Sequence, residues 1–117
     1  MILLFAVYNS LLVGKAEYLK PLLKSSIQIH SAVYHNETQV LAITLENISS
    51  SDLLFENVMP YTFYSSSPIF TLAAGEKKTL QVKTLKKLKN LNLRLKALKA
   101  FSAPKEQVTV QWNVAIE

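Results

Sequence analysis

His30 and His35 are the only imidazoles in this 117-residue chain, five positions apart. A metal pair needs both rings on one side. Five residues along a strand put side chains on opposite faces, and His35-Asn36-Glu37 reads as a turn, so no metal site is expected. Serine is plentiful, but Gly-x-Ser-x-Gly is absent and no histidine is placed by sequence beside a candidate nucleophile. Two glycines cannot build a phosphate-cradling loop, and the acids are scattered singly, leaving no carboxylate pair to share acid and base roles. Cysteine is absent, which removes disulfides and thiolate chemistry and leaves cytosol and periplasm both open. The expectation is a chain with no catalytic residue, no metal ligand and no cofactor.

The charges are placed more tellingly. From Lys77 to Lys105 there are ten Lys or Arg and no acid, whereas the first 76 residues carry Lys15, Lys20 and Lys24 against six acids. Within that tract Lys83, Lys86, Lys87, Lys89, Arg94, Lys96 and Lys99 are the candidates for binding an anionic polymer, a polysaccharide or nucleic acid. Base stacking would call for interleaved aromatics. Only Phe101 and Trp112 lie in or after the tract, and Trp112 belongs to a core pattern, so nucleic acid is disfavoured. The alternative is a solvated strand face whose lysines guard a sheet edge. Asn36-Glu37-Thr38 and Asn47-Ile48-Ser49 match the glycosylation sequon, which matters only in a eukaryotic secretory setting.

The elements that would carry these residues are mostly strands. Val108, Val110, Trp112, Val114 and Ile116 alternate with Thr109, Gln111 and Asn113, the two-residue period of a half-buried strand. Val40 to Glu46 repeats it with Leu41, Ile43 and Leu45 inward, as do Leu80 to Thr84 and Leu91 to Lys96. Further strands are expected over Ile27–Tyr34, Leu53–Val58 and Ile69–Leu72. Asn47 to Asp52 and Ser65 to Pro68 form polar connections, and Gly75 is free to take positive φ in the Ala73–Glu76 link. Six or seven short strands without intervening helices predict a mainly β fold, an immunoglobulin-like antiparallel β-sandwich of about seven strands. Half of the residues are hydrophobic, enough for one core at this length.

Before the sandwich, residues 5–13 are apolar with Asn9-Ser10 as a tight turn, a short strand or hairpin. The opening segment lacks a basic lead and falls short of the roughly 20 residues of a membrane span. From Lys15 to Ser25 a short helix is expected, with Leu19, Leu22 and Leu23 as a docking face. Pro21 either kinks this helix or lies near its start. The segment 85–98 carries two competing periods: Leu85, Leu88, Leu91, Leu95 and Leu98 fit a basic amphipathic helix, while Leu91, Leu93 and Leu95 alternate as on a strand. The strand is preferred, since it pairs with the Trp112 strand through Ser102 to Lys105.

Phe5-Ala-Val-Tyr-Asn-Ser-Leu-Leu-Val-Gly-Lys-Ala-Glu-Tyr-Leu-Lys-Pro-Leu-Leu-Lys-Ser-Ser-Ile27 resembles the closing strand and last helix of a bacterial PHP-type (polymerase and histidinol phosphatase) metallo-phosphoesterase. Leu41 to Asp52 and Phe70 to Val82 are similar to the immunoglobulin-like sandwich appended to one branch of that family. The resemblance implies two parts, 1–26 as the end of a PHP domain and 27–117 as the sandwich, in a chain that is the C-terminal portion of a longer one. It brings no metal ligand, because the family's histidines and acids have no counterparts here. It implies a non-catalytic accessory domain that packs against or orients a phosphoesterase domain of the same parent chain or self-associates. A carbohydrate or protein contact and a periplasmic or secreted setting are further implications.

Overall fold

The computed structural model describes residues 15–64, 66–101 and 107–117. The expected N-terminal hairpin and the Ser102 to Lys105 connection lie outside them. Among the described residues a helix, α1 (Lys15–Ser26), is followed by seven strands: β1 (Ile27–His35), β2 (Val40–Asn47), β3 (Leu53–Asn57), β4 (Ile69–Leu72), β5 (Lys77–Lys83), β6 (Asn90–Lys99) and β7 (Val108–Ala115). They form two antiparallel sheets, β1-β2-β5 and β4-β3-β6-β7. In the seven-stranded constant-type immunoglobulin arrangement the fourth strand sits beside the fifth; here β4 pairs with β3 instead.

Alternation decides what each sheet turns inward. On β7, Val108, Val110, Trp112 and Val114 are buried and the residues between them exposed. Opposite them on β6, Leu91, Leu93, Leu95 and Ala97 are buried, with Leu93 the register partner of Trp112. Leu41, Ile43 and Leu45 of β2 are fully enclosed and meet Phe55, Leu72 and Val82 in one cluster. The competing helical reading of 85–98 fails on hydrogen bonding. β6 is an interior strand bonded to β3 on one side and β7 on the other, and Leu85 stays in solvent at 77% exposure.

β1 departs from simple alternation. Ile29 pairs with Leu45 but Ser31 with Thr44, so His30 is an extra residue in the ladder, a β-bulge. Ile27 is buried and Ile29 half-buried before the bulge; after it the inward row passes to Ala32 and Tyr34, and Val33 turns outward. The unbroken row Ile27, Ile29, Ser31, Val33 written in the sequence is thus cut in two.

Asn47, expected to open a polar loop, is the last residue of β2 and is fully buried. Its amide nitrogen donates to the carbonyls of Ser51 at 2.8 Å and Leu72 at 2.9 Å, and its Oδ1 accepts from the Ser49 backbone at 2.9 Å and hydroxyl at 2.7 Å. Its own carbonyl accepts from Gly75 N at 2.8 Å. Gly75 has φ +77° in the link that carries the chain from one sheet to the other, a conformation costly for a residue with a Cβ. One side chain therefore pins both crossovers at this end.

The strand edges are occupied or blunted. α1 packs along β7, burying Leu19 and Leu23. Residues 62–64 lie against β5 through a Phe63–Val82 bridge and the bonds Tyr64 N to Gln81 O, 2.8 Å, and Lys83 N to Thr62 O, 3.0 Å. β4 is four residues long behind Pro68, and β1 carries its bulge.

Candidate functional site

The twist of α1 distributes its side chains over three directions. At about 100° per residue, Leu19, Leu23 and Ser26 share one stripe, with Tyr18 and Leu22 on one flank and Lys20 and Lys24 on the other. The stripe is buried in the sandwich core. The expected docking face of Leu19, Leu22 and Leu23 therefore divides: two of the three leucines belong to this chain's own interior, and Leu22 is 40% exposed beside Tyr18 at 70%. Pro21 sits within the helix rather than at its start. Ile48, 54% exposed, bonds through its N–H to the Ser26 carbonyl at 2.9 Å and sets a third apolar side chain near the helix end.

The seven basic residues of the expected anion surface also divide. Arg94 and Lys96 lie on the outward face of β6, an interior strand, so they guard no edge. Lys99 ends β6 opposite Leu54. Lys86, Lys87 and Lys89 are exposed between β5 and β6, and Lys83 Nζ stands 5.9 Å from the Tyr64 ring centre. Lys83 and Lys86 border a recess of about 680 Å³ with Tyr61, Leu85 and Leu88. Arg94 joins a different group. It lines an open recess of about 540 Å³ with Lys20, Pro21, Lys24, Thr109, Val110 and Gln111. Lys20 and Lys24 lie some 70 residues from Arg94 in sequence, and only the packing of α1 on β7 unites them.

The two histidines are well separated in role. His30 Nε2 donates to Glu46 Oε1 at 2.7 Å across β1 and β2, while His35 is exposed at the strand end. Among the described residues no three His, Cys, Asp or Glu side chains gather as a metal site, and no helix is long and apolar enough to cross a membrane. Of the two sequons, Asn36 is exposed, whereas Asn47 spends both amide hydrogens on main-chain carbonyls and has none to give up to a glycan.

A model of the Ig-like domain family DUF5001 matches residues 27–113. The chain belongs to this family. No curated protein matches it. In structure, the Ig-like domain is similar to a two-domain protein from Bacteroides vulgatus that contains a predicted PHP-like metal-dependent phosphoesterase, with a TM-score of 0.62 at 12% identity. The match covers 85% of this chain and 28% of the other, so the chain spans little more than a quarter of that protein's length. The mainly β, seven-stranded immunoglobulin-like architecture expected from periodicity is the one observed. The family match starts at residue 27, yet Leu19 and Leu23 of α1 stand in the same core as Trp112.

Proposed function

We propose that this Ig-like domain is a non-catalytic accessory module that packs against or orients a phosphoesterase-type catalytic domain of the same parent chain. The observation that carries the reading is the exposed apolar set Tyr18, Leu22 and Ile48, placed where α1 delivers the chain into the sandwich. Exposed apolar side chains of this size, on α1 and beside its C-terminal end, suit a partner surface better than water. The similarity to a two-domain protein containing a PHP-like phosphoesterase supports the same reading.

The test is association in isolation. Without its catalytic neighbour, the apolar set drives the chain to self-associate, and sedimentation velocity detects dimers or larger species at high protein concentration. Tyr18→Ser with Leu22→Ser returns it to a monomer. A wild-type chain that stays monomeric throughout the concentration series contradicts the reading.

A further inference from the structure

We propose that the recess between α1 and the outer face of β6 and β7 binds a phosphate or sulfate ester group. The inference stands apart from the accessory role, because the recess lies on the opposite flank of α1 from Tyr18 and Leu22.

The recess is built by three independent placements. Lys20 and Lys24 are one helical turn apart and share the flank turned away from Tyr18 and Leu22. Arg94 and Gln111 are direct register partners on β6 and β7, and Thr109 stands two residues along on the same outward face. The third placement is the bond from Trp112 Nε1 to the Lys24 carbonyl, 3.3 Å, which fixes the last turn of α1 against β7 and so holds Lys24 opposite Arg94.

The chemistry of the lining is that of an oxyanion receptor. Among the described residues no carboxylate lines the recess, and neither Lys24 nor Arg94 forms an ion pair there. Arg94 offers a planar fork of N–H donors, the geometry that meets two oxygens of one phosphate or sulfate. Gln111 Oε1 already accepts from Asn92 Nδ2 at 3.1 Å, which leaves the Gln111 amide nitrogen as the free donor. Cations and neutral donors from two strands and a helix suit a tetrahedral anion with three or more acceptor oxygens better than a planar carboxylate with two.

The test titrates the 117-residue chain with inorganic pyrophosphate and, separately, with inorganic sulfate. Binding is followed by the indole N–H resonance of Trp112, the single tryptophan, whose donor bond ends on Lys24. Saturable binding that weakens with salt is expected for at least one anion. Lys24→Ala with Arg94→Ala weakens it at least about tenfold, the loss of one or more charge-assisted bonds. Lys86→Ala with Lys87→Ala, of equal charge change but outside the recess, leaves it within about twofold. All four positions are at the surface, and thermal unfolding verifies that each variant stays folded. The proposal is overturned by the absence of saturable binding to either anion, or by a loop variant that weakens binding as much as the recess variant.

Discussion

The indole nitrogen of Trp112 donates to the backbone carbonyl of Lys24 at 3.3 Å, so the centre of the last strand is tied to the last turn of the helix that precedes the first strand. The bond spans nearly the whole described chain and is half-buried. Trp112→Phe keeps an aromatic ring inside but loses this donor and part of the ring volume. The substitution is expected to cost about 2 kcal/mol in urea unfolding followed by circular dichroism.

Neighbouring leucines on α1 separate core from surface. Leu23 is fully enclosed, and Leu23→Ala is expected to destabilise by about 3 kcal/mol, the cavity left by a buried leucine. Leu22→Ala, one residue away, is expected to change stability by less than about 0.5 kcal/mol while weakening self-association. Paired urea curves and sedimentation runs on both variants measure the contrast.

Asn47 anchors two crossovers through four side-chain hydrogen bonds. Asn47→Ala strands the buried Leu72 carbonyl and frees the Ser49 turn. A loss of about 3 kcal/mol is expected, and Asn47→Asp, which cannot donate to either carbonyl, is expected to be no better. Chemical unfolding of both variants checks the claim that donation, not polarity, matters at this position.

Thr84 gives the opposite sign. Its hydroxyl is buried with no hydrogen-bond partner among the described residues, a standing cost that valine of the same shape removes. Thr84→Val is expected to raise stability by about 1 kcal/mol, measured as a higher urea midpoint at unchanged slope.

The strands are readable because a two-residue hydrophobic period is enforced by burial on one face, and β6, β7 and β2 from Leu41 onward keep it. The period of β6 outweighed the leucine spacing of 85–98 because an interior strand gains ladder bonds on both sides. The bulge at His30 was invisible: one inserted residue changes no side-chain type, only the phase of the residues beyond it. Asn47 reads as loop in the sequence because its neighbours are polar, and its partners Leu72 and Gly75 come from a distant link. The division of Leu19 and Leu23 from Leu22 hinges on how far α1 sinks onto β7, a tertiary quantity. Nothing in a linear tract of lysines signals that Arg94 will meet Lys20 and Lys24, since no local period relates residues 70 positions apart.

The treatment of the strand margins bears on what would happen if the sandwich were joined to a second β-rich unit. Tethering two β-rich units on one polypeptide raises their mutual concentration to millimolar levels, where bare margins would zip into a continuous sheet. A helix laid along β7, residues 62–64 laid along β5, a kink in β1 and a stunted β4 leave little to zip. A β-rich unit joined to this sandwich would then find few open ladders to extend.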